Sequence, residues 1–118
     1  MMPSQEYYAG FMTLPTNAVP LACNLGAISA ADRPRYRDLV KRLHAAIQIQ
    51  NELSDGYSYA LDTQIISLPE IAEWITLERL CCPFLIFQLE VRESVSALTL
   101  RGPDGVKAIL REEFPAAP

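Results

Sequence analysis

The stretch SLPEIAEWITLERLCCPFLIFQLEVR, residues 67–92, places a helix start, a helix end and a strand in direct succession. Ser67 and Glu70 form a capping-box pattern, in which the serine hydroxyl accepts from the Glu70 amide and the glutamate accepts from the Ser67 amide. Pro83 disfavours the helical state in Cys82 and stops the helix there. The stretch therefore predicts a helix whose last turn holds a pair of adjacent cysteines.

A strand is predicted directly after this break, because apolar residues recur at every second position. The chain then turns at residues 93–96 and returns as a second strand, which makes a hairpin. Gly102-Pro103-Asp104 opens a final helix. The apolar positions on which these predictions rest are Leu85, Phe87, Leu89 and Val91 in the first strand, Leu98 and Leu100 in the second, and Val106, Ile109 and Leu110 in the helix.

The same order of elements is predicted before residue 67. Apolar residues at helical spacing favour a helix over residues 30–46, and alternating residues around the turn Ser54-Asp55-Gly56 favour a β-hairpin. The order α-β-β-α-β-β-α defines an α+β fold. Two hairpins joined through a helix most naturally form one four-stranded antiparallel sheet with the helices on one face.

Residues 1–28 are rich in proline, glycine and asparagine and are predicted to be an irregular arm, with one short extended stretch over residues 7–14. Residues 29–118 are predicted to form a single α+β domain. The arm carries an apolar cluster, which could cover its own domain or dock on a second subunit to give a homodimer. That cluster consists of Tyr7, Tyr8, Phe11 and Met12.

Composition excludes several classes of protein. The chain has 118 residues and a formal net charge of -4, which is wrong for a protein that must neutralise phosphates, so no direct nucleic-acid partner is expected. No apolar run approaches the roughly 20 residues needed to cross a bilayer, and residues 1–10 do not resemble a secretory signal. We therefore predict a cytoplasmic protein without a membrane partner, in which cysteines stay reduced.

The three cysteines are the main candidates for chemistry. If the loop that carries Cys23 folds over the end of the second helix, its sulfur meets those of Cys81 and Cys82. Glu78 lies three and four residues before the pair, on the same helix face. Three thiols suit a soft metal ion or metalloid such as mercury(II), arsenic(III), cadmium or zinc, with Glu78 as an auxiliary ligand.

Other chemistries fit the same residues less well. A nucleophilic thiol is disfavoured, because the carbonyl end of a helix and Glu78 both raise a thiol pKa. Zinc prefers four ligands, and His44 would have to be the fourth, although its arginine-rich helix is typical of a surface histidine. Cys81 and Cys82 could also oxidise to a strained vicinal disulfide, which would indicate redox sensing.

Two further functions stay open from the sequence. Free cysteines are often buried as small apolar residues, so the chain could be a dimeric protein-interaction module with merely structural cysteines. Alternatively it could be a thiol redox sensor or an enzyme. A non-catalytic role is favoured, since the chain has no phosphate-binding glycine loop and no hydrolase triad.

The segments Cys23-Asn24-Leu25 and Leu77-Glu78-Arg79-Leu80-Cys81-Cys82-Pro83-Phe84 resemble a family of small bacterial domains. The family pattern is an early Cys-x-Leu followed by Glu-x-x-Cys-Cys-Pro-Phe after a helix, and the domain is similar to one attached behind MerR-type DNA-binding domains. The resemblance covers about residues 20–114. It implies an accessory or sensing domain for heavy metals or metalloids, with Cys23, Glu78, Cys81 and Cys82 at the shared positions. This chain lacks a helix-turn-helix segment, so the implied role is binding alone.

Overall fold

The computed structural model describes residues 21–114. They form an α+β fold in the order α-β-β-α-β-β-α, and the predicted fold class is thereby confirmed. The extended stretch expected over residues 7–14 lies outside the described residues. The helices are α1 (Arg33–Ala46), α2 (Leu68–Cys81) and α3 (Val106–Glu113), and the strands are β1 (Ile47–Leu53), β2 (Gly56–Asp62), β3 (Ile86–Val91) and β4 (Val95–Arg101).

The four strands form one antiparallel sheet in the order β1-β2-β4-β3. Each predicted hairpin is present, and the two hairpins join along β2 and β4. In that central pair Tyr59 lies opposite Leu98, and Tyr57 lies opposite Leu100. All four side chains are buried, so the helices cover this face of the sheet. The helical side of the core is formed by Leu39 and Leu43 of α1, Ile71 and Trp74 of α2, and Val106 and Leu110 of α3.

Helix α2 has the predicted ends. The Ser67 hydroxyl accepts from the Glu70 amide at 3.3 Å, and the Glu70 carboxylate accepts from the Ser67 amide at 3.0 Å, which completes the capping box. At the other end Cys82 leaves the helical conformation, with φ -125° and ψ 73°, directly before Pro83. The cysteine pair therefore occupies the last residue of the helix and the residue that ends it.

The first and last helices begin later than predicted. Residues 29–32 form a turn in which the Asp32 amide donates to the Ser29 carbonyl oxygen at 3.0 Å, and α1 starts at Arg33. Pro34 sits in the first turn of α1, where its missing amide proton costs nothing. Helix α3 follows Gly105, whose φ of 95° is readily available only to glycine. None of the helices within residues 21–114 is long and apolar enough to span a membrane.

Candidate metal centre

Two sulfurs lie at the carboxyl end of α2. The Cys82 amide donates to the Glu78 carbonyl oxygen at 2.7 Å, so the helical hydrogen-bond pattern continues up to the residue before Pro83. Cys81 is 3% exposed and Cys82 is fully buried. The end of the helix thus carries both sulfurs into the edge of the core.

The third sulfur comes from the loop before α1. The Asn24 amide donates to the Cys81 carbonyl oxygen at 2.8 Å, which attaches the loop to the end of α2. The Asn24 side chain accepts from the Gly26 amide at 3.1 Å and caps a short 3-10 turn, Leu25–Ala27. Cys23 itself is exposed, so it forms the solvent-facing side of the group.

The three cysteine sulfurs meet, as the sequence predicted they could. The Sγ atoms of Cys23, Cys81 and Cys82 all lie within 4.8 Å of one another. Cys23 and Cys82 form a disulfide across a sequence separation of 59 residues, whereas Cys81 is free. The expectation of three reduced thiols therefore differs from the structure, which holds one thiol beside one disulfide. The disulfide that is present is therefore not the vicinal Cys81–Cys82 bond that the sequence left open.

Two carboxyl groups lie on the inner side of the sulfurs. One carboxyl oxygen of Glu78 and one of Glu113 lie within 4.8 Å of each other and of Cys82 Sγ. The Tyr36 hydroxyl donates to Glu78 Oε1 at 2.7 Å. Glu78 is 1% exposed, and Glu113 is partly buried. Cys82 thus belongs to two donor groups, one of sulfurs and one of carboxyls.

Burial sets the electrostatics of this centre. Loss of water is the main cause, and the nearby Glu113 carboxyl acts in the same direction, so that the pKa of Glu78 is raised to about 8 although the Tyr36 hydrogen bond opposes the change. Burial likewise raises the pKa of Glu113. It also raises the pKa of the Cys81 thiol to about 11, with Glu78 and Glu113 contributing in the same direction. At neutral pH the Cys81 thiol is therefore protonated.

The sequence identified Cys23, Cys81, Cys82 and Glu78, and the structure brings all four side chains to the end of α2. The sequence did not identify Glu113 or the hydroxyl of Tyr36 as parts of the same centre. A signal for Glu113 was present, since it lies three residues after Leu110 and seven after Val106, on the apolar stripe of α3. A glutamate on such a stripe is buried and needs a partner.

His44 does not join the centre. Its ring packs edge-on against that of Phe114, with 5.1 Å between the ring centroids. Burial lowers its pKa, and a hydrogen bond to the Glu113 backbone opposes this. Among residues 21–114, both groups of donor atoms close enough to share an ion consist of cysteines and glutamates only.

The centre can perform two kinds of chemistry. With the disulfide reduced, three neighbouring sulfurs can bind a thiophilic ion, and the Cys23–Cys82 disulfide can itself be reduced and re-formed by an external thiol. The raised pKa of Cys81 disfavours a role as a nucleophile at neutral pH. No family model matches the chain, and the searches of curated proteins and of solved structures found no match either.

Proposed function

We propose that this protein binds a soft heavy-metal ion or metalloid, such as mercury(II), cadmium, zinc or arsenic(III), through Cys23, Cys81 and Cys82 in their reduced form. Glu78 acts as an auxiliary ligand. The observation that carries the proposal is the approach of all three Sγ atoms to within 4.8 Å of one another. The binding form requires a reducing compartment such as the cytoplasm, where thiols persist.

The electrostatics support a cationic guest. Burial and two neighbouring carboxyls disfavour a bare thiolate at Cys81, whose pKa is raised to about 11. Coordination to a cation deprotonates thiols outright, and the surrounding negative charge then stabilises the bound ion. The features that make Cys81 a poor nucleophile thus favour a site for a positively charged ligand.

Access to the site also supports binding. Cys81 and Cys82 are buried, whereas Cys23 lies on an exposed loop; once the disulfide is reduced, a main-chain hydrogen bond between Asn24 and Cys81 still attaches this loop to the helix. An incoming ion can first meet Cys23 and then the two inner sulfurs.

The test is a titration of the reduced protein. The chain is reduced with a phosphine, which adds no competing thiol, and is titrated with mercury(II), cadmium, zinc or arsenite while the ultraviolet thiolate-to-metal absorption is recorded. We expect one ion per chain. The oxidised chain is the matched control, because Cys81 is then the one cysteine with a free thiol. It should bind each ion at least about 100-fold more weakly. Absence of any absorption change in the reduced chain would reject the proposal.

A second function is favoured by the disulfide itself. We propose, as the alternative, that the Cys23–Cys82 pair senses redox state. A dithiol reductant would supply two electrons and two protons, open the disulfide to two thiols and itself become a disulfide. This function predicts a measurable midpoint potential without ion binding. Identical reduced and oxidised conformations by amide hydrogen exchange would contradict it.

A further inference from the structure

A group of donor atoms that the three-thiol site does not use lies directly beside it. One oxygen each from Glu78 and Glu113 and the sulfur of Cys82 all lie within 4.8 Å of one another. Cys82 also belongs to the sulfur group. An ion bound next to Cys82 would therefore face sulfur on its outer side and carboxyl oxygen on its inner side.

We propose that Glu113 is a ligand of this site and that the paired carboxylates of Glu78 and Glu113 make it selective for divalent cations that accept both sulfur and oxygen, such as cadmium or zinc, over arsenic(III). The inference rests on the proposed metal binding and names its class of ligand. Glu113 adds a second carboxyl oxygen, beside that of Glu78, at the Cys82 end of the site, and it comes from a different helix, α3.

The charges around the two carboxyls carry the inference further. Within residues 21–114, every ion pair of a lysine or arginine uses an acid other than Glu78 or Glu113. Tyr36 gives Glu78 a hydrogen bond but no positive charge. Buried carboxylates are ordinarily paired with a cation or coordinate a metal. Among the described residues the carboxyl pair has no basic partner, so a divalent cation would take the place of the proton that buried Glu78 holds at neutral pH.

Ligand preference distinguishes divalent cations such as zinc and cadmium from arsenic(III). Zinc binds thiolate and carboxylate together in tetrahedral sites, and cadmium shares this preference for mixed donors. Arsenic(III) forms three covalent bonds to sulfur and then needs no oxygen ligand. If the guest is divalent, removing the Glu113 carboxylate weakens binding. If it is arsenic(III), the three cysteines suffice and the same change has little effect.

The experiment compares Glu113→Gln with Glu112→Gln in the full reduced chain. Glu112 is the adjacent exposed residue of α3, so its substitution removes the same charge without touching the centre. We expect Glu113→Gln to weaken cadmium and zinc binding by about 10- to 100-fold and to change the arsenite affinity by less than about threefold. Glu112→Gln should leave all three affinities unchanged.

Infrared difference spectra of the unmodified chain give a second readout that needs no variant. Cadmium should shift the carboxylate stretching bands, and arsenite should leave them in place. If the unmodified chain binds neither ion, the proposed function fails. If it binds cadmium but Glu113→Gln binds it equally well, or if Glu113→Gln weakens cadmium and arsenite alike, the assignment of Glu113 as a selective ligand is overturned while metal binding stands.

Discussion

The hydroxyl of Tyr36 in α1 donates a 2.7 Å hydrogen bond to the buried carboxyl of Glu78 in α2. The two residues are 42 positions apart in the sequence, and the bond joins the two helices beneath the sulfurs. Because Glu78 is almost fully buried, it depends on this donor for part of its hydrogen bonding. The position of the candidate metal centre is therefore fixed partly by a tyrosine that is not one of the candidate ligands.

Tyr36→Phe should destabilise the fold by about 1–3 kcal/mol, because it leaves a buried carboxyl oxygen without its donor. Tyr59→Phe is the matched control. The Tyr59 hydroxyl is buried without a hydrogen-bond partner among the described residues, so its removal should be neutral or slightly stabilising. Urea unfolding of both variants measures the difference. Equal losses of stability would show that the Tyr36 hydroxyl does not support Glu78.

Stability should fall as pH rises from about 5 to 8. The folded chain raises the pKa of Glu78 to about 8, whereas an unfolded glutamate ionises near pH 4. Between these values the unfolded state binds fewer protons than the folded state, so the free energy of unfolding decreases with pH. Below this interval both states are protonated, and the full stability is present.

Glu78→Gln removes this contribution together with its coupling to the neighbouring Glu113 carboxyl. His44 acts in the opposite direction, since its lowered pKa makes stability rise with pH up to about 6.5, but it is present in both chains. We expect the unmodified chain to lose at least about 1 kcal/mol more than Glu78→Gln between pH 5 and 8 in urea titrations. Parallel pH profiles for the two chains would contradict the raised pKa.

Reduction of the disulfide should lower the free energy of unfolding by about 2–4 kcal/mol, because the bond closes a long loop in the unfolded chain. The loop runs from Cys23 to Cys82 and includes α1, the first hairpin and α2. Cys23→Ala is the suitable control, since Cys23 is exposed and its replacement leaves no cavity. The unfolding midpoint of that variant should be the same with and without reductant. If reductant lowered the stability of Cys23→Ala by the same amount, loss of the Cys23–Cys82 disulfide would be excluded as the cause.

A bound ion should restore the stability that reduction removes. Cadmium held by Cys23 and the inner sulfurs reconnects the loop to the end of α2, and at 100 times its dissociation constant it contributes about 2.7 kcal/mol. Thermal unfolding of the reduced chain with and without cadmium measures the gain. The gain should shrink strongly in Cys23→Ala. An equal gain in both chains would place the ion elsewhere.

Cys81 should react slowly with iodoacetamide in the folded chain at neutral pH. Its side chain is 3% exposed, and its pKa is raised to about 11, so both access and thiolate population are low. Unfolding in urea should increase the rate by at least about 100-fold. Mass spectrometry after quenching at timed intervals gives both rates. Fast alkylation of the native chain would instead favour a thiol enzyme.

The sequence predicted the fold because its signals are local. The capping box at Ser67, the break at Pro83 and the alternation around β3 each lie within a few residues of the feature that they specify. The meeting of Cys23 with the end of α2 was expected only as a possibility, since it depends on a hydrogen bond from Asn24 to a carbonyl oxygen far along the chain. Long-range pairing of this kind leaves no local pattern.

The role of Glu113 and the disulfide were not predicted from the sequence, for different reasons. Glu113 approaches Glu78 only after α3 packs against β2 of the sheet, although its place on an apolar stripe was a usable signal. The bond between Cys23 and Cys82 could not be distinguished from three free thiols, because the expectation of a reducing compartment favoured the thiols and spacing does not determine connectivity.

The hydrogen bond from Asn24 to Cys81 joins main-chain atoms only. Exchanging any of the three cysteines for another residue leaves both of those atoms in place. The path of the polypeptide past the end of α2 can therefore persist while the number of sulfur atoms changes from three to two or one. The set of donor atoms at this corner of the molecule can therefore be changed, by design or by natural variation, without rebuilding the scaffold around it.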